Sequence, residues 1–122
     1  MTKVSFDKDK DILVHILDYC GRIDNCRKRF GDSFELFLND YNYQDAVSMP
    51  IFQIGELVKH LSDEFKSQHE SEIPWKEIRG MRNLFAHNYL GMNIKEIWEV
   101  AVIDIPVLKR FCEERLSKSE SE

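Results

Sequence analysis

Three stretches of this chain place apolar residues at successive steps of four, three, four, three and four. Ile12, Ile16, Tyr19, Ile23, Cys26 and Phe30 form the first set, and Val47, Ile51, Ile54, Val58, Leu61 and Phe65 the second. Ile94, Trp98, Ala101, Ile105, Leu108 and Cys112 form the third. A helix turns about 100° per residue, so each set lines one narrow face of a helix. A strand would need strict alternation instead. No alternating run of useful length competes. The expected fold class is all-α, a bundle of four to five helices whose narrow seams suit helix hairpins or helix-mediated dimers.

Local signals set the expected boundaries. The first helix should run from about Asp7 to Phe30 and stop at Gly31, the residue that most easily takes a left-handed cap conformation. A short helix over Ser33 to Leu38 has Ser33 as its N-cap candidate. The second long stretch spans about Tyr43 to His69, with Pro50 inside it expected to kink or interrupt the helix. Ile73-Pro74-Trp75 opens the next helix, where a proline in the first turn loses no hydrogen bond. That helix should reach about Asn88, with Gly91 beyond it. Asn93-Ile94-Lys95-Glu96 reads as a capping box for the last helix, which Pro106 is expected to bend.

With 122 residues, 43% of them hydrophobic and 32% charged, the chain fits one globular domain, expected over residues 1–116. Residues 117–122 are Ser- and Glu-rich and read as a flexible polar tail. The uncharged run Ala46–Gly55 is far short of the roughly 20 apolar residues that cross a bilayer. The first residues carry no apolar segment of the signal-peptide kind, so a cytoplasmic protein without membrane attachment is expected. A net charge of −5 gives nucleic acid little long-range attraction, although it leaves room for a local basic site. Cys20, Cys26 and Cys112 make no CxxC pair and have no histidine at zinc spacing. They are expected to be buried, reduced thiols, and neither a metal nor a cofactor is expected.

The segment from Ile78 to Tyr89 carries the chemistry. It holds Arg79, Arg82, Asn83, His87, Asn88 and Tyr89 close together near a helix end. Asn83 and His87, four apart, share a face, so Asn83 could orient the imidazole. Arg82 and His87, five apart, point about 140° away from each other. One straight helix cannot easily aim both at one small group. Either the helix breaks near His87 or a second copy completes the site across a two-fold axis. An arginine grips phosphate through its fork and steadies charge developing on it; a histidine moves a proton near neutral pH. Together they suffice, without metal, to activate a ribose 2′-hydroxyl against the adjacent phosphate. A plainer reading makes Arg82 a solvated charge, His87 a cation at a helix C-terminus, and Tyr89 a packing residue. Lys76, Arg79 and Arg82, spaced by three, could add a basic stripe for RNA, or simply face water. His15, His60 and His69 read as surface or packing residues, Trp75 and Trp98 as core or interface aromatics.

Arg82-Asn83-Leu84-Phe85-Ala86-His87-Asn88-Tyr89 matches the R-x4-H-x-Y motif of the HepT-like toxins of the HEPN superfamily. Ile54-Gly55-Glu56 resembles that family's I-G-E segment, and Gln44-Asp45-Ala46-Val47 the start of the same helix. Ile73-Pro74-Trp75-Lys76-Glu77-Ile78 resembles its I-P-W-x-x-I lead-in, and Ile97-Trp98 its hydrophobic pair after the motif. The resemblance runs in order from about Asp11 to Leu108. It implies a dimeric helical bundle with metal-independent endoribonuclease activity on RNA, tRNA being one candidate. Arg82 would hold the scissile phosphate and His87 would transfer a proton at the 2′-hydroxyl or the leaving 5′-oxygen. Asn83 would orient His87 or contact RNA, and Lys76 and Arg79 are the further RNA-binding candidates. Tyr89 matches the tyrosine that an MntA-type nucleotidyltransferase antitoxin modifies with AMP. The alternative is a non-catalytic module of the same fold that binds a nucleotidyltransferase partner or a nucleotide.

Overall fold

The first four helices of the bundle are bounded by specific capping groups. The computed structural model describes the backbone of residues 2–88 and 94–121, and the side chains of residues 8–81 and 94–118. α1 (Thr2–Phe30) starts earlier than its apolar stepping requires. It stops at Gly31, whose φ of +106° no β-carbon tolerates easily; a Cβ there would also collide with the Leu36 side chain. α2 (Phe34–Leu38) is capped by Ser33, whose hydroxyl accepts the Leu36 N–H at 3.5 Å. α3 (Tyr41–Lys59) is capped by Asp40, which accepts from the N–H groups of Asn42 and Tyr43 at 2.9 and 3.2 Å.

The stretch read from sequence as one helix from Tyr43 to His69 is two. α3 ends at Lys59, and α4 (Asp63–Gln68) starts after Ser62. The cause is Asp9 of α1, 5% exposed, whose carboxylate accepts the Ser62 N–H at 2.8 Å and the Ser62 hydroxyl at 2.6 Å. The same Ser62 oxygen accepts the Phe65 N–H at 3.1 Å and so caps α4. Leu61 is still buried and Phe65 still packs on the core, so the apolar spacing survives the break.

Pro50, by contrast, lies inside α3, and the helix runs through it. A proline at that position cannot donate to the carbonyl of Ala46, four residues back. The Cys26 thiol of α1 lies 3.7 Å from that oxygen and supplies a weak donor in place of the missing amide.

α5 (Trp75–Asn88) follows Pro74, as expected, and buries Trp75, Ile78 and Met81. α6 (Ile94–Glu99) continues through a π-helical turn, Val100–Asp104, into α7 (Ile105–Ser121). The bend expected at Pro106 takes the form of this wider turn: the Ile105 N–H bonds to Val100 O, five residues back. Pro106 has no N–H for the carbonyl of Val102, and its ring would crowd that carbonyl in a regular α-turn. The helical backbone of α7 includes residues 117–121 of the Ser- and Glu-rich end. The start of the capping box, Asn93, and Gly91 lie outside the described residues.

α3 packs between α1 and α5, and α7 lies along α1, joined to it by Lys109 Nζ–Asp24 Oδ2 at 2.7 Å. Ile16, Ile23, Val47, Ile51, Ile54, Ala101, Ile105 and Leu108 form the interior. Tyr43 joins four elements: its ring lies 5.0 Å from Phe30 and Phe37 and 6.0 Å from Trp98, and its hydroxyl donates to Gly31 O at 2.9 Å. Among the described residues there is no strand, and no helix is long and apolar enough to cross a membrane. The fold is the all-α bundle expected from the sequence.

Cys20 and Cys112 are fully buried, as expected, while Cys26 is half-buried. Burial, with the neighbouring Glu113, pushes the Cys112 thiol from its ordinary 9.0 up to about 12. Burial pushes the Tyr43 phenol from 10.0 up to about 12. The unfolded chain therefore loses these protons first as pH rises, so stability falls with pH. Thermal melts should show the contribution of these groups intact at pH 8. The midpoint should then fall progressively between about pH 9 and 12.

Candidate functional site

α5 carries the motif residues along two different faces. Its buried residues Trp75, Ile78 and Met81 fix which arc of the helix meets the core. Helical phase puts the position of Arg82 about 20° from that of Trp75, near one edge of the arc that Trp75, Ile78 and Met81 span. The positions of Asn83 and His87 lie on the opposite arc, within about 20° of exposed Lys76. The three-residue stripe Lys76–Arg79–Arg82 thus drifts about 60° per step. Lys76 and Arg79 are both exposed, and the backbone position of Arg82 lies about 120° around the helix from that of Lys76. α5 is helical through Asn88, so no break before His87 brings the Arg82 and His87 positions together. The side chains of Arg82, Asn83 and His87 and the whole of Tyr89 lie outside the described residues.

Among the described residues, two concavities flank α5. One, of about 320 Å³, lies between α5 and the π turn and is walled by Glu77, Glu96 and Asp104 beside Gly80. Burial and the charge of Glu77 raise the Asp104 carboxyl above its ordinary value. This negative groove repels phosphate. The other cavity, of about 710 Å³, lies between α4 and the start of α5. Val58, Ile73 and Trp75 give it an apolar wall; Lys66, Lys76 and Arg79 give it cations, with Asp63, Glu70 and Glu77 interspersed. Lys66 lies 3.9 Å from Asp63.

The aromatic residues behave as packing groups. Trp75 is 6% exposed and packs with Phe65 and Phe111; its indole N–H has no acceptor among the described residues. Trp98 packs on Phe37 and Tyr43. His69 pairs with Glu72 at 2.8 Å and packs on Phe65, while His15 and His60 are exposed. Glu56 is half-buried on α3, the helix packed against α5. No cluster of metal-ligating side chains occurs among the described residues.

Sequence reasoning missed the larger cavity and Asp9. The cavity needs the break at Ser62, which depends on a residue far away in the chain. Asp9 left one signal: it lies three residues before Ile12, where the apolar stripe of α1 would continue.

The fold is, as a class, an all-α helical bundle with the cations Lys76 and Arg79 exposed on α5. Within that class, the chain belongs to the HepT-like ribonuclease family, whose model, "Ribonuclease HepT-like", matches residues 16–115. It is similar to the protein named "Putative RNase TTE0752" of Caldanaerobacter subterraneus subsp. tengcongensis, 41% identical over 108 residues, covering 88% of this chain and 94% of that one. It is also similar to "Probable ribonuclease HepT" of Thermococcus cleftensis, 41% identical over 76 residues, covering 62% of this chain and 68% of that one. "Putative RNase MJ1216" of Methanocaldococcus jannaschii is 34% identical over 101 residues, covering 83% and 81%. No solved structure matches.

Proposed function

We propose that the protein is a metal-independent endoribonuclease toxin, acting as a homodimer on RNA, with tRNA as a candidate substrate. The observation that carries the dimer is the unbroken helix: α5 stays helical through Asn88 while the Arg82 and His87 positions lie about 140° apart around it. Two copies meeting at this helix let the arginine of one face the histidine of the other. Membership of a ribonuclease family and three relatives named as ribonucleases support the reaction class.

In the proposed reaction the ribose 2′-oxygen attacks the neighbouring phosphorus and loses its proton to a base. The P–O5′ bond breaks, a cyclic phosphate forms, and the leaving 5′-oxygen takes up a proton. His87 serves at one of those two proton transfers. Arg82 holds the phosphate and stabilises the charge of the pentacoordinate transition state. Asn83 orients His87, and Lys76 and Arg79 attract the strand.

Total tRNA incubated in EDTA should be cut by wild type and left intact by Arg82→Ala and His87→Ala. Cleavage by all three alike would overturn the assignment, and no cleavage by any would favour a non-catalytic module. Light scattering at micromolar concentration should give the mass of a dimer; a monomer mass would end the shared-site proposal.

Control by an MntA-type nucleotidyltransferase antitoxin belongs to the same proposal. Transfer of AMP to the Tyr89 hydroxyl, with release of pyrophosphate from ATP, adds negative charge and bulk two residues from His87 and repels RNA. Intact-mass spectrometry should show one adenylyl group added to wild type and none to Tyr89→Phe. Equal modification of both would remove Tyr89 from the scheme.

A further inference from the structure

We infer that the cavity between α4 and the start of α5 receives a nucleotide of the RNA strand some distance from the cleaved bond. The inference rests on the ribonuclease reading above and adds a substrate subsite to it. Three observations converge. The cavity, about 710 Å³, has the size of sites that enclose a small organic ligand. Its lining is mixed in the way a nucleotide is mixed. Val58, Ile73 and Trp75 line it with an apolar wall for a base, and Ser71 and Glu70 offer hydrogen-bonding groups to its edge. Lys76 and Arg79 offer cations to a phosphate. Asp63, Glu70 and Glu77 balance Lys66, Lys76 and Arg79, so a bare inorganic anion gains little there, and a ligand that also uses the apolar wall and the hydrogen-bonding groups is favoured.

The third observation links the cavity to the reaction site. Lys76 at its rim shares one face of α5 with the positions of Asn83 and His87, seven and eleven residues further on. That face runs about 16 Å along the helix axis. A strand bound at His87 can therefore follow the exposed face of α5 back to the cavity. The groove beside it, walled by Glu77, Glu96 and Asp104, repels a phosphate backbone and leaves this as the favoured path. A single-stranded segment is the form that fits, because its bases are free to turn into a wall.

The test uses the full-length protein and a short, uncleavable 2′-O-methyl oligonucleotide containing 4-thiouridine, with binding read by fluorescence polarisation. Ser71→Trp, which fills the cavity from an exposed turn, should weaken binding about tenfold, with its fold checked by circular dichroism. Lys76→Ala should reduce the slope of log affinity against log salt by about one. Photo-crosslinking to wild type should label the peptide Ile73–Arg79, and it decides the matter even if Ser71→Trp fails to fold. Wild-type affinity in folded Ser71→Trp, or crosslinks that avoid this peptide, would overturn the inference. Competition by free AMP as effective, nucleotide for nucleotide, as the oligonucleotide itself would mark a mononucleotide site and overturn the strand reading. Binding and crosslinking as expected, without cleavage of ordinary RNA by wild type, would instead overturn the ribonuclease reading and leave the cavity as a strand-binding site.

Discussion

His87→Ala is expected to slow RNA cleavage by about 10²–10⁴-fold, the usual contribution of a positioned acid or base. Its melting temperature should stay close to wild type, because the position of His87 lies on the arc of α5 opposite the buried Trp75, Ile78 and Met81. Arg82→Lys tests the other half of the site. A lysine keeps the charge but loses the planar fork, so a large part of the rate should be lost despite unchanged net charge. Circular dichroism on both replacements separates a loss of rate from a loss of fold. A substrate with a single deoxyribose at the cleaved position should resist wild type entirely, since the attacking oxygen is absent. Time courses on a gel, with each variant matched to wild type in concentration, check all three outcomes. Cleavage of the deoxy substrate at the normal rate would refute attack by the 2′-oxygen.

Tyr43→Ala is expected to cost about 3–5 kcal/mol of stability, in the range seen when a large buried aromatic is truncated. For a chain of this length that is a fall of roughly 10–20 °C in melting temperature. The loss is large because one ring holds four elements: Phe30 at the end of α1, Phe37 on α2, its own helix α3, and Trp98 on α6. Tyr43→Phe keeps the ring and removes only the hydroxyl bond to Gly31 O, which also accepts the Ser33 N–H at 3.0 Å. That carbonyl stays satisfied, so the cost should be only about 1 kcal/mol. Calorimetry on the two variants separates packing from hydrogen bonding. Equal losses would show that the hydroxyl, and not the ring, secures this corner.

The parts of the fold that were legible from the sequence are those fixed by neighbours in the chain. The apolar seams, the Gly31 stop, the Ser33 cap and the Pro74 start all depend on residues within a turn or two, and all occur where the spacing predicts. The parts that were not legible depend on tertiary partners. The break between α3 and α4 is made by Asp9, 53 residues from Ser62. The continuity of α3 through Pro50 is helped by a thiol on another helix. The motif residues of the candidate site were legible as residues, and so was the angle between Arg82 and His87. The positions of Lys76, Arg79 and Arg82 spread around α5 because a step of three falls 60° short of a full turn. The drift matters only once Trp75, Ile78 and Met81 show which arc is packed. The larger cavity was invisible because its two walls are continuous in sequence but enclose space only after Ser62 turns the chain.

The thiol contact beneath Pro50 also ties the history of two positions together. A backbone oxygen deprived of its amide donor tolerates only a neighbour that can give a proton or a gap that water can fill. Replacing Cys26 with an apolar residue should therefore be harmful while Pro50 is present and mild once position 50 carries an alanine. The order in which the two substitutions arise would then matter, with the proline leaving first. Such order dependence is epistasis, here arising from one carbonyl group inside the bundle.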